Sequence, residues 1–219
     1  MIGTVAVAGA VALVIVITVA GAFAWRRVQT RDRRALAAAL EDSLADAMGP
    51  GVGSHLERAP TVRRIDVVSE RGDFAADSRT DDVSIGAADA DAQRPSYAPV
   101  VRIDLETTDA PGMDLLFEYV TNVLAAIHPV CTARDAPVAY YDVEFTFGPD
   151  GLVVAGECRR VSVTPELADR VLEDERYGAV ELRRDVERAA RDDETPTALW
   201  EPCRPTSSGV ARGRDRRPE

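Results

Sequence analysis

The chain opens with a long apolar segment. No charged side chain occurs over residues 2–25, and about 20 apolar residues suffice to span the hydrocarbon core of a bilayer. Within hydrocarbon, a single segment can satisfy its backbone only as a helix. The pattern therefore predicts a transmembrane anchor over residues 1–27.

A cleaved signal peptide is the main alternative for this segment, since Ala22-Phe23-Ala24 fits a small-residue cleavage site. However, no basic residue precedes the apolar run, and the run is longer than the apolar core of a signal peptide. We therefore favour a retained anchor. Cleavage would instead release a secreted domain whose mature N-terminus lies near Trp25.

A positive flank follows the apolar run, and basic residues beside a transmembrane helix stay on the cytoplasmic side. This predicts a single-pass protein of the cell membrane, with its N-terminus outside and its C-terminal domain in the cytoplasm. An aromatic residue would lie at the interface, and arginines would contact lipid headgroups, so the bilayer is the first predicted partner. The flank comprises Trp25, Arg26, Arg27, Arg31, Arg33 and Arg34.

Residues 28–50 predict a juxtamembrane amphipathic helix. Apolar side chains recur every fourth residue at Leu36, Leu40, Leu44 and Met48, and Gly49-Pro50 ends the pattern. Such a stripe either packs on the folded domain or associates with a second copy. We favour packing, because the stripe is short for a coiled coil.

Residues 51–98 combine one weak strand with an acidic linker. The segment 61–69 is the strand candidate, and residues 70–98 are polar and rich in Asp, which favours disorder. The Arg-, Pro- and Ser-rich segment 204–219 is likewise predicted to be a disordered tail.

Residues 99–203 carry the pattern of a soluble α+β domain. Apolar and charged residues alternate over 101–106, as in a strand with one exposed face. Helical periodicity follows from Met113 to Ile127, and Pro129 is expected to stop that helix. Alternation returns over 139–147, and a Gly-Pro-Asp-Gly turn at 148–151 predicts a hairpin with a third strand over 152–163.

Two more helices are predicted, from Thr164 to about Glu175 and from Ala179 to Arg191. The order of elements is then β-α-β-β-α-α. The first two strands would be parallel if they are adjacent, and the helices would pack on one face of a mixed sheet. The charged faces of the strands are expected to contact water.

Composition narrows the classes of partner. The formal net charge is −11, and all 26 basic residues are Arg. This acid excess resembles the composition of proteins from salt-loving archaea, although a high-GC codon bias would also favour Ala, Arg and Val. Nucleic acid is an unsuitable partner, because phosphate binding requires clustered positive charge.

Candidate chemistry is sparse. His128 and Cys131 place an imidazole near a thiol, which is the one weak catalytic candidate. His128 is equally explained as a charge at a helix end, and Cys131 as a small buried side chain. The three cysteines are far apart and are expected to be reduced. No metal-ligand or cofactor motif occurs, and no small-molecule ligand is indicated.

Charged pairs have similarly simple interpretations. Asp142 and Glu144 share one strand face and could exchange protons, but a solvated face is the simpler expectation. The doublets Arg63-Arg64, Arg159-Arg160 and Arg183-Arg184 could form an anion site, but are expected to pair with neighbouring acids.

The sequence thus favours a non-enzymatic, membrane-tethered cytoplasmic domain that binds a protein partner, or a second copy, or organises a membrane complex. An enzyme with an active site near His128 and Cys131 is one alternative. A secreted domain released by signal-peptide cleavage is the other.

Overall fold

Both helices and strands occur in the part of the chain that the structure describes. The computed structural model describes residues 27, 30–50, 56–68, 95–107, 109–148, 156–192 and 195–204. A first helix, α1, covers 30–48. It is followed by β1 (Thr61–Val68), β2 (Ser96–Asp104), α2 (Met113–Ala133), β3 (Tyr141–Phe147), β4 (Glu157–Val163), α3 (Pro165–Glu173), α4 (Ala179–Ala189) and β5 (Ala198–Pro202).

The five strands form one mixed sheet in the order β1-β2-β3-β4-β5. Strands β2 and β3 are parallel and are joined through α2, whereas the other neighbouring pairs are antiparallel. The predicted α+β class and the predicted order β-α-β-β-α-α are confirmed from β2 to α4. The strand predicted over 61–69 is present as β1 at one edge of the sheet, and β5, which was not predicted, lies at the other edge.

The helices that the structure describes all contribute to a core on one face of the sheet. The inward residues of β2, β3 and β4 alternate with outward ones, as the period of a strand requires. They pack on the apolar face of α2, and Ala168 of α3 with Leu182 and Val186 of α4 completes the layer. The largest of these buried side chains are Ile103, Leu116, Phe117, Leu124, Ile127, Tyr141, Phe145 and Leu182.

Helix α1 packs against this core. Its stripe is buried, with Leu40 and Leu44 completely inaccessible to solvent. The hydroxyl of Ser43 also donates a hydrogen bond of 2.8 Å to the carbonyl oxygen of Ala126 in α2. Of the two interpretations of the stripe, these contacts favour packing on the domain, because the apolar face is already used.

Pro129 does not end α2, contrary to the prediction. The helix continues through it to Ala133. Proline removes one backbone donor and crowds the preceding turn. Here the Ser43 hydroxyl binds the carbonyl of Ala126, three residues earlier, so part of that perturbed turn has an outside donor. Pro129 itself is exposed, so its ring does not disturb the packed face of the helix.

The predicted start of the first core strand was also wrong. Strand β2 begins at Ser96 and includes Pro99, rather than starting at 101 after a linker. The missing N–H of Pro99 is tolerated because the ladder between β2 and β3 starts only at Val100. Strand β5 was not predicted, since its five residues end in a proline.

The predicted anchor lies outside the described residues, as do most of the linker, the hairpin turn and the tail. Within the described residues, α2 is long and apolar enough to cross a bilayer by length and composition alone. Most of its apolar side chains are buried between the sheet and the other helices, although Leu115 is exposed. A core helix therefore explains α2 without a membrane.

Candidate binding face of the sheet

The sheet face opposite the helices, which we call the charged face, buries ionic groups. Asp142 and Glu144 of β3 are 1% and 0% exposed, and Arg160 of β4 is 6% exposed. The expectation that these charges would contact water is wrong. Long arginine side chains from neighbouring strands lie over the carboxylates and replace water as their hydrogen-bond donors.

Glu144 is the centre of the first cluster on this face. Arg63 donates to its Oε2 at 2.6 Å, and Arg102 donates to the same oxygen at 3.0 Å. Arg64 reaches Oε1 at 3.3 Å. One buried carboxylate thus binds guanidinium groups from two strands, an arrangement in which hydrogen bonds offset the loss of solvation.

A β-bulge in β1 allows two consecutive arginines to reach the same carboxylate. Val62 lies opposite Val101 of β2 and Arg64 lies opposite Val100, so Arg63 is an extra residue without an opposite partner. In a regular strand, successive side chains point to opposite faces. The bulge cancels that alternation and directs Arg63 and Arg64 to the charged face.

Asp142 and Arg160 form the second cluster. Arg160 donates to Asp142 Oδ1 at 3.0 Å and to Ser162 Oγ at 2.6 Å, and also pairs with Glu201 of β5. The Ser162 hydroxyl donates to Asp142 as well. These contacts follow from the register, which places Ser162 directly opposite Asp142 on the neighbouring strand.

The arginines of the charged face retain donors and charge. Burial disfavours the charge of Arg64, but hydrogen bonds and attraction from Asp66 and Glu144 outweigh it and raise its pKa. The Nε atoms of Arg102 and Arg160 are buried and have no hydrogen-bond partner among the described residues. Around Glu144, three arginines face two carboxylates, which leaves one excess positive charge in a chain of net charge −11.

A disulfide bond lies beside these clusters and corrects the expectation of reduced thiols. Cys158 of β4 is bonded to Cys203, which directly follows β5, with 5.5 Å between their Cα atoms. The backbone N–H of Cys203 also donates to the carbonyl of Cys158 at 3.2 Å. Sequence spacing could not reveal this pair, because the strand that brings Cys203 to Cys158 was itself not predicted.

The same region does not suit a metal ion. The ligand atoms of Glu144, Cys158 and Cys203 lie within 4.8 Å of one another, and thiolate with carboxylate is a ligand set that zinc accepts. However, the two sulfurs are joined in a disulfide, and the carboxylate binds three guanidinium groups whose charge repels a cation.

The two predicted catalytic candidates lie on the opposite, helical side of the sheet. His128 is inside α2 rather than at its end, and both ring nitrogens are bonded. Nδ1 lies 2.6 Å from the hydroxyl of Tyr141, and Nε2 lies 2.7 Å from Oδ1 of Asp169. Sequence reasoning missed Tyr141 and Asp169, since nothing in their spacing links them to His128.

Cys131 is a poor nucleophile in this setting. It is 1% exposed, and burial raises the pKa of its thiol to about 11, although a hydrogen bond with Tyr141 partly opposes the shift. The thiolate is the reactive form of cysteine. The arrangement therefore supports a buried, protonated thiol beside a histidine that is already engaged by other groups.

Two clefts open elsewhere on the described surface. One, of about 590 Å³, lies at the carboxyl ends of the parallel strands β2 and β3, and its polar lining includes Arg58, Arg102, Asp104, Glu106 and Thr146. The other, of about 350 Å³, lies between α1 and the turn after α2. Neither is lined by His128 or Cys131.

The predicted membrane flank is only partly described. Trp25 and Arg26 lie outside the described residues. Arg27, Arg31 and Arg34 are exposed, and Arg33 is half-buried. Exposed arginines at the start of α1 are compatible with lipid contact.

Comparison with known proteins finds no relative. No protein-family model, curated protein or solved structure matches this chain.

Thiol counting will test the cysteine assignments. In the folded, unreduced chain at pH 8, we expect no rapid reaction with a thiol reagent, because a pKa of about 11 leaves roughly one thiolate in a thousand at Cys131. Unfolding without reductant should expose one thiol, and unfolding with reductant should expose three. Three reactive thiols without reductant, in a folded chain first equilibrated with a mild oxidant, would exclude the disulfide.

Replacing Glu144 with Gln will test the centre of the charged face. The substitution leaves three arginines around a neutral group, and we expect a loss of about 3 kcal/mol in the free energy of unfolding, as when one member of a buried ion pair is removed. Denaturant titration of the full chain measures it. The control, Glu157→Gln on the same sheet, alters a carboxylate that is 63% exposed and should change stability by less than about 0.5 kcal/mol. Equal effects would mean that the arginine cluster is unimportant.

Proposed function

We propose that this chain is a non-enzymatic, membrane-tethered domain that binds a protein partner through its charged face. The observation that carries the proposal is the Glu144 carboxylate, which is fully buried and holds three guanidinium groups on one side of the sheet. This arrangement fixes the positions of the arginines while leaving part of each accessible. Their side chains are 18–28% exposed.

A carboxylate of a partner protein fits this site. Each guanidinium carries five N–H donors in a planar fork, whereas Glu144 offers only two oxygen atoms. The remaining donors and the excess positive charge can bind an acidic side chain. Arginine is also enriched among the residues that dominate protein interfaces. Because the whole chain is acidic, we expect an acidic partner to be repelled elsewhere and to orient towards the Glu144 cluster; the Asp142 cluster, with one arginine and two acids, adds no positive charge.

An enzymatic role has less support. A pocket that collects His128, Cys131 and acids of the hairpin would have favoured it. Instead, the thiol and the imidazole are buried, and His128 binds an acid of α3 rather than of the hairpin. Neither described cleft reaches them.

Tethering rests on the apolar segment 1–27 and on the arginines that follow it. If this segment spans the bilayer, α1 begins almost directly at the membrane surface, and Leu36 of α1 is already buried in the domain core. The domain would then lie close to the headgroups rather than at the end of a long linker. A partner in the same membrane, or bound to it, is the natural consequence.

Two features of the chain favour locations of the folded domain on opposite sides of the membrane. The basic flank favours the cytoplasm, whereas disulfides persist mainly in oxidising compartments. We propose the cytoplasmic side, because flanking charges act during insertion, before the domain has folded, whereas the disulfide forms afterwards. Disulfides in a reducing cytoplasm are usually transient, so Cys158 and Cys203 are then expected to exchange between reduced and oxidised forms.

Partner binding will be tested by affinity purification of the tagged full chain from membranes of its own host in mild detergent. A specific partner should be recovered about tenfold less efficiently with Arg63→Gln or Arg102→Gln, which corresponds to about 1.4 kcal/mol. The control is Arg183→Gln, an arginine of α4 that pairs with Asp114 and Glu187 on the helical side. Recovery of this chain alone, or equal recovery with all variants, would contradict the proposal.

Sidedness will be tested with a protease that cannot cross the membrane. Added to intact cells, it should leave the C-terminal domain intact, and it should digest the domain only after the membrane is permeabilised. Digestion in intact cells would place the domain outside, in agreement with its disulfide. The intact mass of the purified chain separately tests cleavage near Trp25.

A further inference from the structure

The two edges of the sheet differ in how they can be extended. Strand β5 has five residues, ends in Pro202, contains a register shift and has Trp200 at a φ of +56°. Proline and bulges both block pairing with another strand. Strand β1 has eight residues and no proline, and its bulge is confined to Val62–Arg64, so residues 64–68 keep a regular register with β2; within the described residues β1 is bonded only to β2.

An open edge presents unpaired backbone N–H and C=O groups, which bind a further strand readily. The side chains of β1 indicate which strand would fit. Arg64 and Asp66 lie two residues apart on the charged face and bind each other at 2.8 Å. Oppositely charged residues at this spacing make the strand complementary to an antiparallel copy of itself.

Charge selects one register for such a pair. In a symmetric antiparallel pair, one residue of β1 lies at the twofold axis, opposite the same residue of the second copy. An axis at Arg64 would place two arginines opposite each other, and an axis at Asp66 would place two aspartates opposite each other. An axis at Ile65 instead places Arg64 of each copy opposite Asp66 of the other, so that two pairs of opposite charge form. Opposite charges in directly facing positions stabilise a strand pair, whereas like charges destabilise it.

We propose that two copies of this chain associate through antiparallel pairing of β1, with a twofold axis at Ile65, and form one continuous ten-stranded sheet. The helices of both copies then lie on the same side, because directly opposite residues in a sheet share a face. Arg64 retains its contact with Glu144 and exchanges its own Asp66 for that of the second copy.

This association does not depend on the acidic partner proposed above. An interface of one strand pair is small, so moderate affinity is expected in detergent. Anchoring both copies in one membrane would raise their effective concentration without any new contact.

The test uses the full chain in mild detergent and two variants that reverse one charge each, Asp66→Arg and Arg64→Asp. Self-association is measured as a function of concentration by sedimentation and by co-purification of two differently tagged copies. The wild type should form dimers. Each variant alone should dimerise at least about tenfold more weakly, because like charges then face each other twice.

Mixing the two variants provides the decisive measurement. A chain with Arg at 64 and 66 is complementary to one with Asp at both positions, so the mixture should recover dimers that contain one copy of each. This rescue also shows that both variants are folded. The control variant is Glu173→Arg, which makes the same charge change as Asp66→Arg but on the exposed surface of α3. This control should dimerise as the wild type does.

A wild type that remains monomeric overturns the proposal and shows that β1 is covered by this chain or is unsuited to self-pairing. Variants that dimerise normally, or a mixture that fails to recover dimers, also overturn it. None of these outcomes affects recovery of an acidic partner, which depends on Arg63 and Arg102. The two proposals can therefore fail separately.

Discussion

Burial of the Glu144 carboxylate is the constraint on which the charged face depends. A lone carboxylate without water would be strongly destabilising, so arginines must reach it from the neighbouring strands. Arg102 does so from β2 by register alone. Arg63 and Arg64 both do so only because β1 contains a bulge. The bulge in the edge strand β1 and the burial of Glu144 on β3 therefore depend on each other.

The opposite face is governed by apolar packing, and much of it could be predicted. Periods of two and of 3.6 residues correctly indicated β3, the hairpin strand β4, and helices α2 to α4. Those periods report burial on one face of each element, which is a local property of the sequence. The same local reasoning explains the leucine stripe of α1, although only the structure distinguishes packing on the domain from self-association.

The errors share a physical cause, because each concerns a residue whose surroundings come from distant parts of the chain. Pro129 is accommodated in a helix that Ser43 supports from α1. Pro99 is tolerated because its strand has not yet paired with β3. His128 is bonded by Tyr141 and Asp169 rather than by Cys131. The charged face was misjudged because alternation shows which residues point outward, but not whether neighbouring side chains then cover them.

The Cys158–Cys203 bond closes a covalent ring around the last third of the domain. The cysteines are 45 residues apart in sequence, and α3, α4 and β5 all lie between them. A break in the backbone inside this ring would leave both fragments attached to the sheet as long as the bond is intact. Because synthesis proceeds from the N-terminus, Cys203 emerges after every described helix and strand, so the ring can close only when all of these elements have left the ribosome.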